Sequence, residues 1–357
     1  MPESSSTVRI LTEAELRRCV DLDLDTVDVV ADAFTALATR AVDMPPIQHI
    51  SVAGDGPSAA GGDVDVKSAF IPGLDFLAIK IASGFFGNAS LGLPTGNGLM
   101  TLLDAHTGRC AAVLLDNGYL TDVRTAAAGA VAARHLAPST VGTAGVLGTG
   151  RQAELQMRAL HLVRPFGRLL IHGRNADHAR NLQERLGTAL PSVDIEIASS
   201  VRSVVQESDC VVTTTASTSP LINARHLPQG RMPQKHGLPP KHGLPPKHGL
   251  HLTAMGSDLP GKQELDVDVL RRADLCVWDR ESQCARLGEL QHVPVERRGE
   301  LKARELGELT AGLKPGREDD TQLTVCDLTG TGVQDTAIAV HALRRAEALG
   351  LGTLIGD

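Results

Sequence analysis

Apolar positions along the chain follow two regimes. From residue 141 onward, short apolar runs alternate with stretches of helical period: strands at 141–147, 168–172, 193–198 and 210–214 are separated by helices at 152–163, 176–187 and 200–206. Such alternation predicts a parallel sheet covered by helices. The pattern resumes with a strand at 251–255, a helix at 264–272, strands at 275–278 and 323–328, and a final helix at 333–349 with apolar residues at 333, 337, 340 and 343. Before residue 141 the texture differs. Thr12 with Glu15 reads as a capping box that opens a helix, and a second helix over 24–40 is stopped by Met44-Pro45-Pro46. The Gly-rich, polar stretch 47–62 reads as a loop. Val64, Val66, Ser68 and Phe70 alternate, as do Leu77, Ile79 and Ile81, with Pro72-Gly73 as the turn; 99–103 and 111–115 pair across 104–108. These predict an antiparallel platform, joined to the second regime by an Ala-rich helix over 121–136.

Size and charge narrow the picture. At 357 residues the chain exceeds the roughly 250–300 residues at which single cores stop growing, so two α/β domains are expected. A net charge of -7 argues against a nucleic-acid partner. No apolar run is long enough to span a bilayer and residues 1–7 are simply polar, so the default is a cytoplasmic enzyme without a membrane partner. The six cysteines lack CxxC or Cys/His ligand spacing, so no metal site or disulfide framework is expected.

The richest segment is Gly148-Thr149-Gly150-Arg151-Gln152-Ala153, placed between a strand and a helix. A dinucleotide-binding turn needs Gly148 for the bend, Gly150 so that a pyrophosphate can approach bare backbone, and a small residue such as Ala153 where helix meets strand. Arg151 can meet the pyrophosphate. At the end of the next strand, where a unit selective for NAD places Asp or Glu, stands Ile171-His172-Gly173-Arg174-Asn175. The Arg174 guanidinium would attract a 2′-phosphate, which leans the cofactor from NAD towards NADP. Thr215 and Thr329 end strands on the same edge and can lie against the cofactor. Asp258, in a glycine-rich turn after a strand, can serve as an acid/base group or merely shape the turn. Lys80 and Arg124 are cations in apolar and Ala-rich surroundings. Either a substrate carboxylate or an internal salt bridge would satisfy them. A tandem KHGLPP repeat within 228–250 forbids helix or central strand and reads as a surface-loop expansion, with a His-containing binding loop as the alternative.

Lys80, Gly92-Leu93-Pro94-Thr95, residues 120–127 (LTDVRTAA), Gly148 to Ala153, Met255-Gly256-Ser257-Asp258 and Gln334-Asp335 together resemble the ornithine cyclodeaminase/μ-crystallin family, in order and over nearly the whole chain. The resemblance implies a homodimer with chemistry in a cleft between domains. It also implies that 1–125 with 333–357 form a substrate-binding and dimerisation domain, and that 126–332 form a Rossmann-type domain holding NAD or NADP. By the same resemblance, Lys80 and Arg124 bind the α-carboxylate of an amino or imino acid. Thr95, Arg124, Arg151, Gln152, Thr215, Met255, Gly256, Lys262 and Thr329 fall on cofactor contacts, and Asp258 with Lys80 supplies the catalytic groups. One departure matters. Thirteen residues before the carboxylate-binding lysine, ornithine cyclodeaminase has a glutamate; here stands Lys67, which would repel a distal ammonium and attract a second carboxylate. The expectation is therefore an NAD(P)-dependent imine reductase or amino-acid dehydrogenase for an iminosuccinate/aspartate-like substrate, with an ammonia-releasing ornithine or diamino-acid cyclodeaminase as the alternative.

Overall fold

The computed structural model describes residues 7–54, 61–228 and 249–356; the KHGLPP repeats lie outside the described residues. The chain divides into two units, Met1–Arg124 with Thr331–Asp357, and Thr125–Gly330.

In the first unit, β1 (Val8–Thr12), β2 (Gln48–Val52), β3 (Gly62–Ala69), β4 (Phe76–Gly84), β5 (Gly96–Asp104), β6 (Cys110–Leu115) and a terminal strand (Thr353–Ile355) form one sheet. The order is terminal strand–β1–β6–β5–β4–β3–β2. Residues 47–62, expected to be a loop, thus contain β2. Its five residues are all exposed, so the burial contrast that normally marks a strand is missing from the sequence. Helix α1 (Glu13–Cys19) opens as the capping pattern requires, with the Thr12 amide donating to the Glu15 carboxylate at 2.9 Å. Helix α2 (Leu24–Thr39) is capped by Asp23, which accepts from the Thr26 amide, and buries Val27, Val30, Phe34 and Leu37. A terminal helix (Gly332–Ala348) packs on α2, β3 and β4. It starts so close to β3 that a Cβ at Gly332 would sit 2.4 Å from the Ser68 carbonyl oxygen. Helix α3 (Tyr119–Leu136) begins in this unit and continues into the second.

The second unit carries a parallel sheet built from β7 (Thr143–Leu147), β8 (Arg168–His172), β9 (Asp194–Ile197), β10 (Cys210–Thr213), β12 (His251–Ala254), β14 (Leu275–Trp278), β15 (Ala303–Glu305) and β16 (Thr324–Asp327). Their order is β15-β14-β16-β12-β10-β7-β8-β9. A two-stranded parallel ribbon joins β11 (Thr218–Ile222) to β13 (Gln263–Leu265). Helices α4 (Arg151–Val163), α5 (Ala176–Ala189) and α6 (Val201–Glu207) alternate with the first strands, and α7 (Val267–Arg272) precedes β14. This is a Rossmann-type α/β fold, with Leu147, Leu170, Val211, Leu252, Trp278 and Val325 in its core. The helix expected over 264–272 is shorter. Residues 263–265 pair with β11, and Asp266 accepts from the Asp268 amide at 2.8 Å, so capping starts the helix only at Val267.

Candidate functional site

All six strands β7, β8, β10, β12, β14 and β16 run parallel, so the segments that follow them share one edge of the sheet. Gly148, Arg174, Thr215, Met255, Gly256, Asp258 and Thr329 all stand in those segments, as open parallel sheets place their ligand-binding residues. The glycine turn is built for close approach. Gly148 has φ +123°, and a Cβ there would lie 2.4 Å from Thr214 Oγ1; a Cβ at Gly150 would meet nothing within 4 Å. Gly150 caps α4 without a side chain, so the first amides of that helix stay available to an anion. A cavity of about 820 Å³ lies beside the turn, lined by Gly148, Thr149, Arg174, Asn175, Thr215 and Ser217 among others. Bare turn, uncapped helix and adjoining cavity fit the pyrophosphate and ribose of a dinucleotide.

Other predicted residues have protein partners. Gln152 accepts from Gln156 Nε2 at 3.4 Å, Lys262 Nζ lies 2.7 Å from Asp258 Oδ1, and Thr329 donates to Asp279 Oδ1 at 2.9 Å. Arg151 is exposed at the first position of α4. Thr95 sits in the first unit, its carbonyl accepting from the Phe85 amide.

Four buried acids were not singled out by their chemistry. Glu264 accepts from Thr213 Oγ1 (2.6 Å), the Thr215 amide and hydroxyl (2.6 and 2.8 Å) and the Gly256 amide (2.7 Å). It thereby ties the segments after β10 and β12 together. Glu289 accepts from the amides of Glu264 and Leu265, and Asp279 from those of Thr329 and Gly330. Asp327 accepts from the Leu290 amide and is so crowded that a Cβ at Gly288 would lie 2.3 Å from it. Burial pushes all four carboxyls up, Glu289 to about 8 with the adjacent Glu264 adding to the effect. An acid beside a strand end is the sequence signal that Glu264, Asp279 and Asp327 give, and it is a weak one.

The first unit gathers a different cluster. Lys80 on β4 is 1% exposed and its Nζ lies 3.0 Å from both oxygens of Asp335. Arg124 on α3 is 5% exposed; its Nε lies 2.9 Å from Asp335 Oδ1 and its Nη1 donates to Gln334 Oε1 at 3.3 Å. Asp335 stands in the first turn of the terminal helix, where the helix dipole favours a negative charge. Lys67 on β3 is directly opposite Lys80 in the antiparallel register, so the two ammonium groups share a face. The structure thus brings Lys67, Lys80 and Arg124 together and adds Asp335, to which the sequence reading gave no role. Burial, then the Arg124 and Lys67 charges, push Lys80 down to about 7, while Asp335 works against them. Burial opposes ionisation of Asp335, yet Arg124, Lys80 and Lys67 together hold its carboxyl below the usual range. Two buried cations are thus in direct contact with one buried carboxylate, and the charge on Lys80 also acts on the buried Asp116.

A Rossmann-type α/β protein with a glycine-turn cavity in one unit and a buried cation cluster in the other is the class these features define. The sequence profile of the ornithine cyclodeaminase/mu-crystallin family matches residues 7–232 and 246–348, and the chain belongs to that family. It is 48% identical over 354 residues to an uncharacterised cyclodeaminase, y4tK, of Sinorhizobium fredii, covering 98% of each chain. Among solved structures it resembles an archaeal alanine dehydrogenase dimer with bound NAD (29% identity, TM-score 0.82, 98% of this chain and 99% of that one). It also resembles the iminosuccinate reductase of Paracoccus denitrificans in complex with NAD+ (26% identity, TM-score 0.80, 98% and 99%).

Proposed function

We propose that the protein is an NAD(P)-dependent imine reductase, equivalently an amino-acid dehydrogenase, acting on a small dicarboxylic imino or amino acid of the iminosuccinate/aspartate type. The observation that carries this reading is the sharing of Asp335 by Lys80 and Arg124, with Lys67 opposite Lys80. Lys80 and Arg124 take the α-carboxylate, Arg124 with the planar donor geometry that suits it. Lys67 takes the distal carboxylate, because an ammonium on that face repels a distal amine. Asp258 gives or relays the proton at the substrate nitrogen. The dinucleotide supplies hydride exchange with the carbon of the C–N bond. For that group the chain offers Gly148, Gly150, Arg151 and Gln152 at the phosphates, with Thr95, Arg124, Thr215, Met255, Gly256, Lys262 and Thr329 as further contacts. Arg174 lines the cavity after β8 with no carboxylate among residues 172–175, which favours NADP. Chemical rate comes chiefly from positioning and charge complementarity.

We further place the enzyme in the cytoplasm as a homodimer. Ile50, Val52, Ile81 and Leu115, each 39–45% exposed, alternate with buried or polar residues on the sheet of the first unit, an apolar face of the kind that a second copy covers.

The second reading, cyclodeamination of ornithine or a related diamino acid, is favoured by the 48% identity to a protein named a cyclodeaminase and is opposed by Lys67. Absorbance of the reduced nicotinamide separates the two. Purified protein with NAD or NADP and L-aspartate is expected to reduce the cofactor. Ammonia release from L-ornithine with a flat absorbance trace, and no reaction with aspartate, would overturn the dehydrogenase reading.

A further inference from the structure

The proposed carboxylate site uses Asp335 and leaves its neighbour Gln334 without a task. Gln334 is fully buried and occupies the third position of the terminal helix, after the N-cap Thr331. Its Oε1 accepts from the Thr331 amide at 2.8 Å, the side-chain half of a capping box, and from Arg124 Nη1 at 3.3 Å. A backbone amide can only donate, so the Thr331 contact fixes which end of the carboxamide is oxygen. Nε2 is then the other end, buried and without a hydrogen-bond partner. The start of the helix is itself held in place. A Cβ at Gly332 would lie 2.4 Å from the Ser68 carbonyl oxygen, and Thr336 Oγ1 donates to the Ala69 carbonyl at 2.8 Å.

Arg124 leans on that carboxamide for its orientation. Its Nε lies 2.9 Å from Asp335 Oδ1 but is not aligned to donate to it, whereas the bond from Nη1 to Gln334 is aligned. Asp335 supplies charge and Gln334 supplies direction. The identity of the residue is the second clue. A capping box takes Glu or Gln at this position, and the positive N-terminal end of the helix dipole favours Glu. An adjacent guanidinium favours Glu as well. Local physics at position 334 therefore asks for a carboxylate, yet the chain carries the neutral amide. A glutamate would answer the Thr331 amide equally well, but it would give Arg124 a second carboxylate besides Asp335 and would repel an incoming anion. A buried donor without an acceptor, on a side chain bonded to a guanidinium, is an arrangement that a bound carboxylate would complete.

We propose that Gln334 is a positioning residue of the carboxylate site: through Oε1 it fixes the Arg124 guanidinium without neutralising it, and so keeps Arg124 able to bind an anion. The assignment rests on the reading of Lys80 and Arg124 as the α-carboxylate site and goes beyond it, since it makes a neutral side chain in the helix cap a condition of affinity.

Calorimetric titration of succinate into enzyme saturated with reduced dinucleotide, beside denaturant unfolding and L-aspartate kinetics, tests it on the wild type, Gln334→Glu and Gln334→Met. Gln334→Glu keeps the acceptor for Thr331 and Arg124 and changes the charge. It should unfold at no lower a denaturant concentration than the wild type, yet bind succinate about tenfold more weakly or worse and raise the aspartate KM by a similar factor, with kcat changed less than KM. Gln334→Met removes the acceptor and should lower the denaturant midpoint and weaken binding per folded molecule by about threefold or more. A helix cap and nothing else would move stability and leave affinity in place. Gln334→Glu that binds as tightly as the wild type would overturn the proposal, as would losses of binding in both variants that only follow the unfolded fraction. Wild-type affinity in Gln334→Met would overturn it too, by showing that Arg124 holds its place unaided. Wild-type enzyme that binds succinate and turns over no amino acid, with both variants weakened as expected, would remove the dehydrogenase reading and leave the assignment of Gln334 standing. Wild-type enzyme that reduces cofactor with aspartate, while both variants keep its KM and its succinate affinity, would remove the assignment alone. Wild-type enzyme that neither binds succinate nor turns over aspartate would remove both.

Discussion

The second unit buries four carboxyl groups at the carboxyl edge of its sheet, and the first buries Lys67, Lys80 and Arg124 near the Asp335 carboxylate of its terminal helix. Glu264, Glu289, Asp279 and Asp327 receive most of their hydrogen bonds from backbone amides, which belong to the fold and are present whether or not a ligand binds. Lys80 and Arg124 instead lean on side chains, sharing Asp335 while Gln334 Oε1 also accepts from Arg124, and neighbouring Lys67 adds repulsion. Burial is nearly complete in both places, so the desolvation penalty is comparable. What differs is how it is answered. Backbone dipoles answer most of the acidic cluster, although Asp327 Oδ1 is left without a hydrogen-bond partner, whereas side chains answer the basic one. Backbone dipoles are fixed by the fold, whereas a carboxylate shared by two cations can be joined by a second anion, the role proposed for Lys80 and Arg124.

Removing the shared carboxylate should break the contrast most severely. Asp335→Asn leaves Lys80 and Arg124 facing each other without compensation and is expected to cost about 3–5 kcal/mol, read as a large loss of stability in denaturant. Lys80→Met separates binding from folding. Asp335 keeps Arg124 as a one-to-one partner, so stability should hold or rise, while kcat/KM falls by about two to three orders of magnitude, the equivalent of about 3–4 kcal/mol. If Lys80→Met instead unfolds the protein and leaves residual turnover per folded molecule unchanged, the cluster is structural. Glu264→Gln is the matching test in the second unit. The amide group would turn a donor towards donors from Thr213, Thr215 or Gly256, so a loss of about 1–3 kcal/mol in unfolding free energy is expected. The smallest effect concerns the repeats. Gly249 enters β12 from its amino end and Leu250 is held there by Arg317, at the edge of the sheet opposite the glycine turn. Removing residues 241–246 should leave KM within about twofold, as loop-length changes away from a site generally do; a larger change would give the insert a part in binding.

Much of this was legible in the sequence, for identifiable reasons. The glycine turn could be read because backbone conformation and ligand approach impose Gly148 and Gly150 at fixed spacing. Strand–helix alternation after residue 141 exposed the parallel sheet. Lys80 and Arg124 stood out as charges in apolar company. Asp335 did not, since an acid in the first turn of a helix is ordinary and its meaning depends on β4 and α3 arriving beside it. Strand β2 was hidden because only Ile50 and Val52 alternate within it and all five of its residues are exposed on an edge strand. Glu264 was absorbed into a helix that in fact starts at Val267, because the capping role of Asp266 is local and short-ranged.

Proton linkage at Lys80 offers the most direct test of the proposed carboxylate site. Burial and the neighbouring cations favour the neutral amine, so the ammonium is lost as pH rises through about 7. An arriving carboxylate favours the ammonium, so binding above that pH must take up a proton and must weaken as pH climbs. Succinate titrated calorimetrically into the enzyme with saturating reduced cofactor, at about pH 8 in two buffers of different ionisation enthalpy, should bind with uptake of about one proton. The same titration of Lys80→Met should show weak binding and no uptake. Succinate that fails to bind the wild type, or that binds wild type and Lys80→Met alike without proton uptake, would contradict the assignment of this cluster as the carboxylate site.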